Sequence, residues 1–330
     1  MTKFSVIMPL YNKAPYVKKA LESVCAQTYR NFELIIVDDG STDGSMDVVQ
    51  EFKNQEPRAK SVRIIGQQNA GVAAARNNGV AKSVGEYVCF LDADDWWEVN
   101  FLEEMDRLIN EFPEAGLYST NYIYYKPGKT HVALKLERGY MNYPDAYLHS
   151  DAMPIWTGAA CMPRKVFDEM GGFPKGIKLG EDFLLWVKTA LRYKVAFCEK
   201  PLAYYNNDVP AHLRATRNLH APQYHMLFNL NPLLNEINSL QSTSNRSAWI
   251  KLIDKLRVNG LLEYWLSEEY HDAAEEELKK VDWSKQPKNA KRQYEKPIWM
   301  QKVKRWIMRV GSYCKQRLIY IIKYQFKQKQ

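Results

Sequence analysis

The chain has 330 residues, enough for one large domain or two, and its 46% hydrophobic and 25% charged residues exclude a wholly disordered protein. The net charge of +8 is uneven: residues 285 to 330 carry fourteen Lys or Arg against one acid, Glu295, so that stretch is +13 and residues 1 to 284 are −5. An acidic body repels a polyanion over most of its surface, which argues against nucleic acid as a partner and leaves an anionic membrane surface for the basic end.

In chain order, Phe4 to Pro9 is a short apolar run that reads as a buried strand, and Pro15 suits the first turn of a helix over Tyr16 to Gln27. Phe32 to Val37 is a second strand, closed by Asp38-Asp39-Gly40; Asp43 is placed to cap a helix running to Phe52. Val62 to Ile65, the Ala-rich stretch Val72 to Lys82 and Tyr87 to Leu91 read as strand, helix and strand. Such alternation predicts a parallel α/β sheet covered on both faces. Leu117 to Tyr125 and Val132 to Leu136 read as strands, Ile155 to Met162 contains a Trp-Thr-Gly turn, and Glu181 to Tyr193 reads as an amphipathic helix. Past residue 213 the pattern is helical, notably over Ile250 to Tyr270, and the polar stretch Asp282 to Arg292 reads as a linker.

In an open α/β sheet, ligands bind beyond the carboxyl ends of the strands. Three strand ends here carry polar motifs: Tyr11-Asn12, Asp38-Asp39-Gly40-Ser41 and Asp92-Ala93-Asp94-Asp95. Asp is common in turns, but five Asp over two strand ends exceed what turns require. The Asp92-x-Asp94-Asp95 cluster offers hard oxygen ligands to Mg²⁺ or Mn²⁺, which bind through one or two carboxylates plus substrate phosphates. Asp38 and Asp39 are placed to accept from a nucleoside. Arg76, on the helix flanked by Gly71 and Gly79, is placed for a phosphate or for one of the acidic clusters. Gly128-Lys129-Thr130 resembles the end of a P-loop, but Ile123 stands where its first Gly is needed; no Gly-x-Gly-x-x-Gly occurs.

The runs Ser5-Val6-Ile7-Met8-Pro9-Leu10-Tyr11-Asn12, Val37-Asp38-Asp39-Gly40-Ser41-Thr42-Asp43, Gly71-x-x-x-Ala75-Arg76-Asn77-x-Gly79 and Leu91-Asp92-Ala93-Asp94-Asp95, in that order, resemble the family 2 glycosyltransferases with the GT-A fold. Met170-Gly171-Gly172-Phe173 followed by Gly180-Glu181-Asp182-x-x-Leu185-Trp186 resembles the acceptor half of that family. The resemblance covers residues 3 to 210 and implies an inverting hexosyl or N-acetylhexosaminyl transfer from a nucleotide-sugar, a UDP-sugar being the commonest donor in the family. It implies donor contacts from Pro9, Tyr11, Asn12, Asp38, Asp39, Arg76, Asp92 and Asp94, with Asp39 on the base and Asp92 on the ribose. Asp94 is the implied metal ligand, with Asp95 as an alternative, and Asp182 the implied general base, with Glu181 second. His212 is a further candidate beside the metal or diphosphate.

The expected organisation is a GT-A-like, Rossmann-like α/β domain over 1–215, divided at 98 into nucleotide-sugar and acceptor halves. A helical extension over 216–284 and a basic amphipathic tail over 285–330 follow. In the tail, Trp299, Val303, Trp306, Ile307 and Val310 share one helical face while Lys302, Lys304, Arg305 and Arg309 lie elsewhere. That pattern suits an interfacial helix on anionic lipid; a helix packed on the domain is the other reading. The acceptor is expected to be a cell-surface glycan or lipid-linked glycan. Cys25, Cys89, Cys161, Cys198 and Cys314 show no C-x-x-C pair and read as buried thiols of a reducing compartment. Met1 to Leu10 shows no signal-peptide pattern and no run approaches roughly 18 apolar residues, so a cytoplasmic protein, peripheral on the inner membrane, is expected. Two rival functions are a sugar-nucleotide nucleotidyltransferase, which lacks a Gly-rich basic opening here, and a non-catalytic nucleic-acid binder.

Overall fold

A computed structural model describes residues 4–210 and 219–301, Trp299 excepted, and the backbone alone of Lys60 and Ser61. The described residues fall into two compact units, the first ending at Leu252 and the second beginning at Ile253.

The first unit opens with β1 (Phe4–Leu10), α1 (Ala14–Cys25), β2 (Phe32–Asp38), α2 (Ser45–Gln55), β3 (Arg63–Gly66), α3 (Val72–Lys82) and β4 (Tyr87–Phe90). β3, β2, β1 and β4 lie side by side, all parallel, with Phe4 to Leu10 paired to Phe32 to Asp38 and Phe4 to Ile7 paired to Tyr87 to Phe90. The alternation of strand side chains splits β1 between two layers. Phe4, Val6, Met8 and Leu10 join one core with Val17, Leu21 and Val24 of α1 and Val49 of α2. Ile7 faces the other way, onto α3, where a Cβ on Gly79 would collide with its Cγ2 and lie 3.1 Å from Val37 Cγ2. Gly79 thus sets how closely α3 approaches the sheet. Pro9 is tolerated in this central strand because β4 has already ended: Ile7 O accepts from Leu91 N at 3.1 Å, and no donor is needed two residues on.

The chain continues through β5 (Trp96–Trp97), α4 (Phe101–Glu111), β6 (Ala115–Tyr125), β7 (His131–Val132), β8 (Gly139–Met141), α5 (Tyr143–His149), β9 (Ala160–Pro163), α6 (Arg164–Met170), α7 (Glu181–Arg192) and β10 (Lys194–Asn206). Here the parallel expectation ends. β9 inserts between β4 and β6, antiparallel to both, while β10 runs parallel to β6 and antiparallel to β5 and β8. Apolar runs report burial on two faces but not the direction of a neighbour. The strand expected over Val132 to Leu136 is only two residues long. Asn121 explains the shortening: its side chain donates to Leu134 O at 2.9 Å and accepts from Leu134 N at 3.2 Å, replacing a partner strand.

After residue 218 come α8 (Asn231–Ser239), α9 (Thr243–Gly260), α10 (Leu262–Trp265), α11 (His271–Lys279) and α12 (Lys288–Glu295). The expected linker over Asp282 to Arg292 is instead a 3-10 turn at Trp283–Lys285 followed by α12. α12 buries none of its residues, so no apolar stripe announces it. Tyr294 holds it within the second unit, its hydroxyl donating to Val258 O at 2.6 Å and its ring 5.6 Å from that of Trp265. Among the described residues, no helix is long and apolar enough to cross a membrane. The tail face proposed for Trp299 and Val303 to Val310 lies outside the described residues.

Candidate active site

The carboxyl ends of β1, β2 and β4 do gather their polar motifs, and the loops hold one another. Asn12 takes a left-handed backbone, φ 51°. Asn and Asp tolerate that region because a short polar side chain bonds locally; here Asn12 Oδ1 accepts from Thr42 N at 2.8 Å and Asn12 N donates to Ser41 Oγ at 3.2 Å. Asp43 accepts from Ala14 N at 3.0 Å and Ser45 N at 3.0 Å, capping α2 from one residue before the Gly44 cap position while also fixing the start of α1. Asp38 Oδ1 accepts from Ser41 N at 3.1 Å. Tyr11 is exposed at the mouth of this turn.

Asp39 is buried, and its carboxylate accepts from Gln67 Nε2 (2.8 Å), Ala70 N (2.8 Å) and Gly71 N (2.9 Å). A carboxylate has about four acceptor positions, so one remains for a ligand donor. Its evident structural task is to draw the loop before α3 against β2.

α3 then carries Arg76 inward. The guanidinium is buried and bridges two distant segments: Nη2 donates to Asp92 Oδ1 at 2.7 Å and Nη1 to Glu181 Oε1 at 2.9 Å, over the Phe173 ring at 5.2 Å. Burial works against its charge, but Asp92 and Glu181 outweigh burial and hold the group above its ordinary value. Of the two options open for Arg76, the structure thus pairs it with carboxylates.

Beyond β4, Asp95 N donates to Asp92 O at 3.0 Å and folds the acidic turn. Its members diverge. Asp95 is buried and accepts from Asn206 N at 2.7 Å, at the end of β10; burial, then Asp94 and Asp92, push its carboxyl well above the usual range. Asp94 is partly exposed and meets Lys13 Nζ at 2.6 Å. Burial raises its carboxyl too, with Lys13 opposing and Asp92 adding to the rise.

The carboxylate pair at the start of α7 divides in the same way. Glu181 is buried on Arg76, and burial, then Asp182, raise it to about 7 against the pull of Arg76. Asp182 is partly exposed, accepting from Thr157 Oγ1 at 2.7 Å and from Phe183 N at 2.7 Å. An acidic first turn suits the positive end of a helix. Beside it stands an aromatic wall: Tyr147 lies 5.8 Å from Phe183, and Trp156 lies 5.3 Å from Tyr205 and 5.1 Å from Tyr122. Burial, then Asp182 and Tyr124, push the Tyr147 hydroxyl up to about 12.

Lys13, Gln67, Thr157 and the tyrosines were not singled out from the sequence. Lys13 directly follows the Tyr11-Asn12 motif, and Thr157 sits in the Trp-Thr-Gly turn, so position alone hinted at both. His212 lies outside the described residues. Among the described residues, no three His, Cys, Asp or Glu side chains are grouped to hold a metal by themselves.

A sheet whose acidic turns gather at the carboxyl edge of its parallel strands, facing a helix that starts on a carboxylate pair, defines the GT-A class. A family model, Glycosyl transferase family 2, matches residues 5–171, and the chain belongs to that family. Glycosyltransferase GlyA of Streptococcus pneumoniae serotype 4 is 42% identical over 120 residues, 36% of this chain and 17% of that protein. An uncharacterized glycosyltransferase of Rickettsia felis is 32% identical over 208 residues, 61% of this chain and 32% of that protein. The chain therefore spans no more than a third of the length of these two relatives. Among solved structures, S. aureus TarS 1–349 in complex with UDP-GlcNAc shares the fold, with a TM-score of 0.68 at 20% identity over 84% of this chain and 79% of that one.

Proposed function

We propose that the protein transfers a sugar from a nucleoside-diphosphate sugar, in the first instance a UDP-sugar, to a hydroxyl of a cell-surface glycan, with inversion. The observation that carries the reading is the Arg76 bridge. One guanidinium ties the acidic turn after β4 to the helix that presents Asp182, so donor-side and acceptor-side groups share a single anchor. Family membership supports glycosyl transfer over the nucleotidyltransferase and nucleic-acid alternatives.

In this reading the loops after β1 and β2 hold the nucleoside, with Asp39 as base acceptor and Asp92 beside the ribose. Asp182 takes the proton of the acceptor hydroxyl while that oxygen bonds to the anomeric carbon. The bond from that carbon to the diphosphate breaks on the opposite side, and the nucleoside diphosphate leaves. Thr157 aims the Asp182 carboxylate, and the partly exposed rings of Tyr147 and Tyr205, the latter packed on buried Trp156, offer apolar faces for an acceptor sugar.

The residues at the acidic turn fit a divalent metal, Mn²⁺ or Mg²⁺. Asp94 already holds a cationic group in a partly buried, acid-rich turn, and one carboxylate plus diphosphate oxygens is the ligand set such ions favour. When bound, the ion would neutralise charge developing on the leaving diphosphate. Asp94 is the proposed ligand. Asp95, committed to Asn206 N, supports the turn rather than the ion. Reversible attachment of the basic tail to an anionic membrane, on the cytoplasmic side, is part of the same proposal and suits a lipid-linked acceptor.

Calorimetric titration of UDP with and without Mn²⁺ tests the reading. Wild-type protein should bind UDP more tightly with Mn²⁺, and Asp94→Ala should remove that gain. A variant that keeps the full metal-dependent gain would show that Asp94 is not the ligand.

A further inference from the structure

Lys13 lies 2.6 Å from Asp94, with the two side chains 17% and 18% exposed. The root of this lysine is fixed. Its backbone N donates to Ser45 Oγ at 2.8 Å, Ala14 N after it donates to Asp43, and Asn12 before it accepts from Thr42 N. The head is a compact ammonium on a flexible stem, with donors that reorient freely. A fixed root and a flexible stem allow one anionic partner to be exchanged for another without moving the fold.

The surrounding charge favours such an exchange. Asp92, Asp94 and Asp95 share one tight turn, while Arg76, the cation on Asp92, is divided with Glu181. A divalent ion would satisfy this turn better than a single ammonium does. A diphosphate arriving at the same turn would in addition bring negative oxygens that need a second cation. Lys13 already stands at that turn, 2.6 Å from Asp94.

We infer that Lys13 is a displaceable counter-cation: it occupies Asp94 while no donor is bound, and it moves to the donor's diphosphate when a divalent metal takes Asp94. Lys13 is thus a positioning residue, and the inference rests on the nucleotide-sugar reading above. Metal alone must compete with the lysine, and nucleotide draws the lysine away, so the two ligands bind interdependently. By linkage, UDP tightens Mn²⁺ by the same factor as Mn²⁺ tightens UDP. Lys13 supplies part of that factor.

Free Mn²⁺ measured by electron paramagnetic resonance, without and with UDP, tests this on wild type, Lys13→Met and Lys13→Arg. Lys13→Met should bind Mn²⁺ alone more tightly than wild type, on the order of tenfold, the equivalent of losing one partly buried competing ion pair. The further gain given by UDP should shrink in that variant. Lys13→Arg keeps a cation and should behave as wild type. Thermal melts by circular dichroism establish that each variant is folded, and Lys13→Gln replaces Lys13→Met if the latter is not. A folded neutral variant that binds Mn²⁺ alone no tighter than wild type overturns the inference. The metal-only comparison needs no nucleotide, so it is decided separately from the donor reading, which fails instead if no nucleoside diphosphate binds wild type with or without metal.

Discussion

The acidic turn after β4 and the first turn of α7 lie far apart along the first unit, yet they solve the same problem alike. Each presents two adjacent carboxylates. In each, one is buried and committed to the protein: Asp95 to Asn206 N, Glu181 to Arg76. The other remains partly exposed and, among the described residues, is held by one polar side chain: Asp94 by Lys13, Asp182 by Thr157. The holders differ in kind. A lysine neutralises and can be displaced by another cation, whereas a threonine hydroxyl orients a carboxylate and leaves its charge intact. The first suits a site that exchanges ions and the second suits a base. Burial thus commits one acid of each pair to the fold and leaves its neighbour partly open to solvent.

The two carboxylate pairs part most sharply at Asp182. Asp182→Asn should lower kcat by about 10²–10⁴-fold, the usual worth of a positioned base, with donor affinity nearly unchanged. Glu181→Gln should cost far less in rate, because Gln still accepts from Arg76. Single-turnover kinetics with saturating donor measure both, and the reverse ranking would assign the roles the other way.

Arg76 tests whether the two acidic stations depend on one anchor. Arg76→Met leaves Asp92 and buried Glu181 without their partner. Removing one member of a buried charge network costs about 3–5 kcal/mol, so chemical denaturation should show a loss of that order. A loss below about 1 kcal/mol, the scale of a surface pair, would mean that the bridge is not structural.

The smallest expected effect is a pH dependence that separates Glu181 from its neighbour. Its folded-state value of about 7 exceeds the ordinary 4.5, so the folded protein holds this proton more tightly than the unfolded chain. The associated stability is fully present below the ordinary value and is lost as pH rises through about 7. Thermal melts between those limits should show wild-type stability falling with pH, and Glu181→Gln, which stays neutral, should flatten the fall. Equal slopes in the two proteins would place the proton elsewhere.

Much of the first unit up to β4 was legible from local pattern alone. The helix read over Val72 to Lys82 is the one observed, and β1, β2 and β4 lie within a residue of their expected ends. Parallel strands buried on both faces are continuous apolar runs, and their carboxyl ends must carry polar turns, so sequence and architecture coincide there. The stretch from β5 to β10 was less legible. Nothing in Ala160 to Pro163 says that β9 will insert between β4 and β6, and nothing in Asn121 says that its amide will stand in for a strand. The polar helix α12 was missed because it buries no face that periodicity could reveal.

The acidic turns, their place after strands, and the carboxylate pair that starts α7 follow from local propensity and spacing and can be read along the chain. Which carboxylate of each pair stays available, and which cation each one meets, was decided only by tertiary structure. Arg76 is 105 residues from Glu181 and Lys13 is 81 from Asp94. Electrostatic partnership acts across ångströms of space and has no signature along the chain, so only the folded sheet, which brings those segments to one edge, could assign it.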